Sequence, residues 1–454
     1  MDAQAILNST AVDAAYRAAE ARYIAQNNKS QLLYENATGH LPGGNTRSAL
    51  FFAPFPLYIS SANGCTVTSV DGRVFTDLLG EYSAGIYGHT NPALQEELHA
   101  AIANGLSFGG HHVAEAELAA EISRRIPSID LLRFTNSGTE ATMMALATAK
   151  TWTGRDKIVV FRGGYHGGGF VFRGGNSLVN VPHDYLVAEY NDDGSVQAIF
   201  AEQGPNIAAV IIEPMLGSGG GVRARKEFIL LLRALTRDAG ALLIFDEVMT
   251  SRLFDGSGLQ GHLGVAPDLT TLGKYLGGGM SFGAFGGRRD IMSLYDPRGG
   301  KEIFQGVKNC STPLPHAGTF NNNVLTMRVG ARGLKDVYTR ERATELNAFG
   351  DKLRERLNEL AVVSGSTMKV LGCGSILVFH FTKTEMMNIH GPADWADEDY
   401  RLLDLLHLTM LEAGFYMGRR GYVSLSLAVG DEEATRFAQA VGEFLARYKD
   451  LVAV

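Results

Sequence analysis

Asp246-Glu247-Val248 closes the apolar run Ala241-Leu242-Leu243-Ile244-Phe245, and Lys274 follows in Thr271-Leu272-Gly273-Lys274, shortly before Gly277-Gly278-Gly279. The apolar run reads as a buried strand. Side chains alternate along a strand, so Asp246 and Val248 face one way and Glu247 the other. A carboxylate at that position can hold the proton on a pyridine nitrogen while the valine packs on the flat face of the ring. A lysine amine can condense with an aldehyde as a Schiff base. Together these residues meet the needs of a pyridoxal 5'-phosphate (PLP) site. Each half alone has a plainer reading, a strand end and a surface lysine. The rest of the chain decides between them.

Three other segments carry compatible chemistry. The strand Leu131–Thr135 runs into Asn136-Ser137-Gly138-Thr139-Glu140 and then a helix. Free amides and the helix dipole make such a start an anion site. The same residues also spell a capping box, Ser137 with Glu140, and the two readings are compatible. Gly163-Gly164-Tyr165-His166-Gly167 follows the next strand, where a tyrosine among glycines can lie on a cofactor ring opposite Val248. Ile211-Ile212-Glu213-Pro214 ends another strand and brings a further carboxylate to the same sheet edge. Open α/β sheets bind ligands beyond the C-terminal ends of their strands. His111 and His112 are adjacent, point apart, and lack nearby ligand partners, so no metal site is expected.

The elements that must position these groups alternate. Helices are expected at 92–104, 114–126, 138–152 and 225–238, with strands at 131–135, 157–161, 207–212 and 241–246. This order predicts an α/β fold with a mostly parallel sheet covered on both faces by helices. A helical stretch over 10–38 and short β pieces to residue 78 precede it. A strand pair near 368–381 and a final helix at 431–448 suggest a smaller α+β domain. Residues 296–316, rich in Gly, Pro and Lys, read as a long loop. The expected division is 1–70, an N-terminal helix and segment of the small domain; 71–325, the large PLP-binding domain; and 326–454, the C-terminal small domain.

Composition agrees with a globular enzyme: 454 residues, 45% hydrophobic and 20% charged. Glycine is in excess, 54 residues or about 12% against a usual ~7%, and it clusters between apolar runs. A net charge of −7 with no basic stripe gives no basis for nucleic-acid binding. No apolar run approaches ~20 residues and no signal-peptide pattern opens the chain, so no membrane span is expected. The three cysteines, Cys65, Cys310 and Cys373, read as reduced thiols, and the cytoplasm is the expected compartment.

Asn136-Ser137-Gly138-Thr139-Glu140-Ala141, Tyr165-His166-Gly167, Ile212-Glu213-Pro214, Phe245-Asp246-Glu247-Val248, Leu272-Gly273-Lys274 and Gly318-Thr319-Phe320 occur in one order along the chain. In that order they resemble a class III, fold type I, PLP-dependent aminotransferase of the glutamate-1-semialdehyde aminomutase-like branch. The resemblance covers residues 40–430. It implies that Lys274 is the Schiff-base lysine and proton shuttle, and that Asp246 is the partner of the ring nitrogen. Ser137, Gly138 and Thr139 would cradle the phosphate, Tyr165 and Val248 would sandwich the ring, and Glu213 would be a polar wall. Thr319 would reach the phosphate of the neighbouring subunit's cofactor, which implies a homodimer.

A narrower likeness exists. Leu41-Pro42-Gly43-Gly44-Asn45-Thr46-Arg47-Ser48, the stretch from Thr271 to Gly287, and Arg420-Gly421-Tyr422-Val423 resemble bacterial β-phenylalanine aminotransferases. Aminomutases proper carry a Pro-Gly-Gly-Val-Asn-Ser type segment, from which this chain departs at Asn45-Thr46-Arg47. The likeness would place Arg47 on a β-amino acid's carboxylate and Arg420 on that of a 2-oxo acid, with Arg419 the alternative to Arg420. A planar guanidinium suits bidentate carboxylate binding. Tyr82 and Tyr87 would line the pocket, or else pack in the core or an interface. The loop at 296–316 is longer than in the bacterial enzymes.

The expected function is a ping-pong transamination from a β-amino acid donor to a 2-oxo acid acceptor such as 2-oxoglutarate or pyruvate. Three alternatives stand beside it: a 2,1-aminomutase, which needs no added oxo acid; an amine transaminase for carboxylate-free amines; and a PLP-binding protein without catalysis.

Overall fold

The structure is a computed structural model that describes residues 3–299, 304, 307, 310–395 and 398–453, with side chains from Thr10 onward. Two compact units emerge: residues 1–91, 348–388 and 395–454 in one, and 92–347 with 389–394 in the other.

The first unit opens with α1 (Ala3–Gln26) and α2 (Asn28–Thr38). The single helical stretch expected over 10–38 is broken at Asn27, which leaves the helical backbone (φ −134°) and donates its side-chain amide to Tyr23 O at 2.7 Å. Strands β1 (Ile59–Asn63), β2 (Thr66–Ser69) and β3 (Val74–Asp77) follow as an antiparallel set.

The second unit holds α3 (Pro92–Ala103), α4 (Val113–Arg125), β4 (Leu131–Thr135), α5 (Gly138–Thr153), β5 (Lys157–Phe161), β6 (Asp184–Ala188), α6 (Asp193–Gln203), β7 (Ile207–Ile212), α7 (Lys226–Ala239), β8 (Leu242–Asp246), α8 (Gly258–Leu263), β9 (Leu269–Gly273), β10 (Gly283–Gly287), α9 (Arg289–Met292) and α10 (Val324–Arg332). Its seven strands are ordered β4-β10-β9-β8-β7-β5-β6, and all neighbours are parallel except at β10, which is antiparallel to both β4 and β9. The mostly parallel sheet inferred from the sequence is borne out. Strands β7 and β8 are buried along their whole length, as near-continuous apolar runs covered on both faces should be. Ala141, Ala145 and Ala149 of α5 pack over them with Phe170, Phe172 and Phe285.

Strands β6, β9 and β10 and helix α6 were not foreseen. Gly-Ala-Phe-Gly-Gly lacks the β-branched residues that mark strands, yet β10 is wholly buried. Its glycines answer to crowding. A Cβ on Gly283 would lie 2.1 Å from Ser137 O, and one on Gly287 2.1 Å from Asp268 O.

After α11 (Arg340–Val363) the first unit resumes with β11 (Met368–Cys373), β12 (Ile376–Phe381), α12 (Tyr400–Glu412), β13 (Phe415–Tyr416), β14 (Tyr422–Ser424) and α13 (Asp431–Arg447). Strand β13 pairs with β3 in a four-stranded sheet, and β11-β12-β14 form a three-stranded one. The units divide the chain differently from the expected borders at 70 and 325. Residues 71–91 belong with the first unit because β3 is hydrogen-bonded between β2 and β13. Residues 326–347 belong with the second because α10 packs on α3 and α4. The loop expected over 296–316 is described only in part, since 300–303, 305, 306, 308 and 309 lie outside the described residues.

One buried carboxylate sets the relation of β8, β9 and β10. Asp268 Oδ2 accepts from the Leu243 amide and the Arg233 guanidinium, each at 2.8 Å, and Oδ1 accepts from Arg288 at 2.8 Å. Asp268→Ala is expected to lower stability by about 2–3 kcal/mol, because it strands a buried amide and removes charge-assisted bonds. Urea denaturation checks this through the midpoint at unchanged slope. A midpoint equal to that of the parent protein would contradict it.

Candidate active site

Strands β5, β7, β8 and β9 end at one edge of the sheet, and β4 ends there too, paired with the start of β10. That edge gathers the residues that the sequence singled out within the second unit. Asp246 terminates β8 and is buried. Its Oδ1 accepts from the Val248 amide at 3.0 Å, and its Oδ2 meets His166 Nδ1 at 2.8 Å. The carboxylate is therefore held from two sides. Glu247 faces the opposite way, as alternation requires, and accepts from the Leu259 and Gln260 amides at 3.1 and 2.8 Å and from the Thr250 hydroxyl.

His166, the middle residue of the Tyr-His-Gly motif, has a partner that the motif does not predict. It is buried against Asp246, and its Nε2 has no hydrogen-bond partner among the described residues. Burial pulls its pKa down, but the bond to Asp246, the Asp246 charge and the Glu213 charge outweigh that and raise it. The upward shift favours the protonated imidazole, which is a donor to the Asp246 carboxylate. Only a structure reveals this partner, because the residues that meet come from the ends of different strands.

Glu213, just beyond β7, is also buried. Its Oε1 accepts from the Tyr165 amide at 2.8 Å and its Oε2 from the Gly217 amide at 3.0 Å. Burial first, and the Asp246 charge besides, push its pKa up to about 7 against the opposing pull of His166 and the two amides. The side chain thus fixes the loop that carries Tyr165, an exposed residue. It ties two loops together and is more than a polar wall.

The phosphate-cradle candidates form the N-terminus of α5. Ser137 is the cap, its Oγ accepting from the Glu140 amide at 3.1 Å, while Glu140 reaches back to the Asn136 amide at 2.9 Å. The capping box is thus present. All three candidates, Ser137, Gly138 and Thr139, are only partly buried, so the start of the helix is open to an anion. Thr139 Oγ1 accepts from the Gly168 amide at 3.2 Å. Next to it, Gly167 has φ +113°, and a Cβ there would lie 2.3 Å from Thr139 Oγ1. Any larger residue would be strained and would displace the cradle.

Val248 sits between glycines. A Cβ on Gly138 would come within 2.9 Å of both of its methyl groups, and one on Gly273 within 3.1 Å of Cγ1. Lys274 begins the short turn Lys274–Gly277 with φ +58°, a left-handed conformation in a non-glycine residue. Such a residue costs on the order of 1–3 kcal/mol, and such strain clusters at functional sites. Loss of water lowers the pKa of its amine to about 8, against the upward pull of Asp246 and Glu213 and with a smaller push from Arg252. Thr319 is exposed on a turn whose Asn321 side chain meets Asn136 Nδ2 at 3.0 Å.

The residues present fit PLP. An anion-ready helix start, a doubly held carboxylate, a valine walled by glycines and a lysine that releases its proton near neutrality converge in one unit. His111 and His112 go elsewhere: His111 faces Glu115 at 3.4 Å, and His112 Nε2 meets Asn322 O at 2.7 Å.

The carboxylate-binding candidates lie in the first unit. Arg47 forms an ion pair with Glu81, both about half exposed. Arg419 is gripped bidentately by Asp404, with Nη2 to Oδ2 at 2.8 Å. Arg420 is half-buried. Tyr82 donates its hydroxyl to Ala49 O at 2.7 Å and lies 5.3 Å from the Tyr422 ring. Tyr87 is buried, so it belongs to the packing of this unit.

Comparison with known proteins places the chain. The family model "Aminotransferase class-III" matches residues 52–172 and 177–444. The chain is 44% identical to a β-phenylalanine transaminase of Variovorax paradoxus over 439 residues, covering 97% of this chain and 98% of the relative. The crystal structure of a β-phenylalanine aminotransferase from V. paradoxus superimposes with a TM-score of 0.93 at 44% identity, over 97% of this chain and 99% of that one. An ω-transaminase from Sphaerobacter thermophilus gives 0.82 at 32% identity, over 92% and 97%. With the family match spanning most of its length, this chain belongs to the class-III aminotransferases and is a PLP-dependent enzyme.

Proposed function

We propose that the enzyme transfers the amino group of a β-amino acid of the β-phenylalanine type to a 2-oxo acid such as 2-oxoglutarate or pyruvate. The observation that carries the substrate assignment is the full-length 44% identity to a relative named for that donor. Two arginines of the first unit support it. Arg47 already engages a carboxylate, that of Glu81. Arg420 is the second carboxylate ligand by the likeness of its segment to the β-phenylalanine enzymes, and its neighbour Arg419 is paired with Asp404.

PLP, when bound, supplies an electrophilic carbon for the amine and a ring that takes up electron density from the substrate carbon. The chain's own groups do the rest. The Ser137–Thr139 amides and hydroxyls would hold the phosphate, and Val248 and Tyr165 would flank the ring. Asp246 would face the ring nitrogen and favour its protonated form. His166 holds Asp246 in place and is a positioning residue. Lys274, with a pKa of about 8, exists as both amine and ammonium near neutrality, so it can take a proton from the donor carbon and return it elsewhere. A ping-pong cycle needs both directions of that transfer.

The exposed Thr319 and its neighbour Phe320, with the turn anchored to Asn136 beside the cradle, support a homodimer in which Thr319 meets the neighbouring subunit's phosphate. Three unpaired cysteines support a reducing, cytoplasmic setting. Among the described residues no helix is long and apolar enough to cross a membrane.

Steady-state kinetics test the two arginines. Arg47→Ala is expected to raise KM for the β-amino acid by about 10- to 150-fold, the worth of a charge-assisted bond of ~1.5–3 kcal/mol, while Arg420→Ala does so for the 2-oxo acid. Unchanged KM values in both variants would overturn the substrate assignment. Product formation without any oxo acid would favour an aminomutase instead. For His166, replacement by Phe is expected to lower kcat by about 10- to 150-fold and weaken PLP retention, with His166→Asn in between because it keeps a donor. Parental kcat in His166→Phe would remove His166 from the machinery.

A further inference from the structure

The ion pair between Arg47 and Glu81 has no evident structural purpose. Both side chains are about half exposed, and a pair so placed contributes little to folding. Yet the backbone that presents Glu81 is unusual. Glu81, Tyr82 and Ser83 have φ of +50°, +50° and +76°, three consecutive left-handed residues that are not glycine. Isolated left-handed residues are uncommon, and a run of them persists only where its surroundings impose it.

The surroundings do impose it. Asp77 Oδ1 accepts from the Leu79 and Gly80 amides at 2.9 and 3.1 Å. Gly80 is pressed so closely to Ser424 that a Cβ would lie 2.4 Å from its carbonyl oxygen. The Gly85 amide returns to Gly80 O at 2.9 Å. The Tyr82 hydroxyl, bonded to Ala49 O, ties this turn to the segment that carries Arg47. The backbone is thus clamped at several points, while the Glu81 side chain extends into a half-exposed setting. A strained turn is maintained, and it places the Glu81 carboxylate on Arg47.

Resting on the reading of Arg47 as the donor's carboxylate ligand, we infer that Glu81 is an internal stand-in for the substrate carboxylate, which occupies Arg47 until a β-amino acid displaces it. The two carboxylates have the same chemistry and compete for the same guanidinium. Because the backbone is fixed and the side chain is not, exchange needs only rotation of Glu81, on a picosecond-to-nanosecond scale, without opening of the turn. The competition reduces apparent affinity by the fraction of time that Arg47 is free. For an exposed pair that reduction is roughly two- to sixfold. Glu81 therefore sets the affinity for carboxylate-bearing donors specifically. It has nothing to displace when a neutral ligand binds.

The test uses the PLP-loaded enzyme and calorimetric binding of 3-phenylpropanoate, the donor without its amine, beside neutral 3-phenylpropanamide. Glu81→Gln is expected to tighten 3-phenylpropanoate about two- to sixfold and to leave the amide where it was. Glu81→Asn, whose side chain tolerates left-handed backbone, should do the same and guards against a folding defect in the first variant. In an Arg47→Ala background the gain from Glu81→Gln should vanish. If Arg47→Ala weakens 3-phenylpropanoate but neither Glu81 variant tightens it, the stand-in role is overturned and the Arg47 reading stands. If Arg47→Ala leaves 3-phenylpropanoate unchanged, the Arg47 reading falls and this inference falls with it.

Discussion

The site depends on one carboxylate held at the end of a buried strand. Asp246 closes β8, the central strand of the sheet, and water that would otherwise solvate it is excluded. Its two oxygens are met by the Val248 amide and by His166, whose pKa the same carboxylate raises. The pair is mutually supporting. The field it creates reaches further: Asp246 contributes to the raised pKa of Glu213 and opposes the fall in that of Lys274. Removal of the Asp246 charge would therefore disturb each titrating group around it.

The fold exists to bring such groups together at short range. Strand ends of a parallel sheet converge on one edge, so residues distant in sequence meet there. Asp268 and the glycines of β10 set the register of the strands that deliver Asp246, Gly273 and the start of α5. The backbone also closes on Val248, where neither Gly138 nor Gly273 leaves room for a Cβ without displacing the valine methyl groups. The left-handed Lys274 is a local cost that this packing sustains.

Much of this was legible in the sequence. The apolar run ahead of Asp246, the alternation that sends Glu247 away, the Ser137-x-x-Glu140 cap and the Lys274 turn are all local patterns, and local patterns can be read from one chain. Strand β10 was not legible, because its glycines answer to neighbours on both sides and its composition denies strand. His166 was visible as a letter in a motif, but its partner comes from the end of another strand. The Glu213 contacts escaped for the same reason, since the Tyr165 and Gly217 amides lie in two loops. The break at Asn27 was hidden because asparagine within a polar helical stretch has no unique reading. Nothing in Gly80-Glu81-Tyr82-Ser83 announces a left-handed run. It is imposed by Asp77, three residues ahead of Gly80, together with Ser424 from far along the chain.

The central claim is that this enzyme accepts the amino group of a β-amino acid through PLP held by Lys274 and Asp246. The most direct measurement is a single half-reaction: purified PLP-loaded enzyme, no oxo acid, mixed with (S)-β-phenylalanine while the absorbance of the cofactor is followed. Conversion of the cofactor's aldehyde-derived band to that of its amine form, reversed by a 2-oxo acid, is the expected result. A spectrum that stays unchanged with the β-amino acid but converts with a simple amine would contradict the claim.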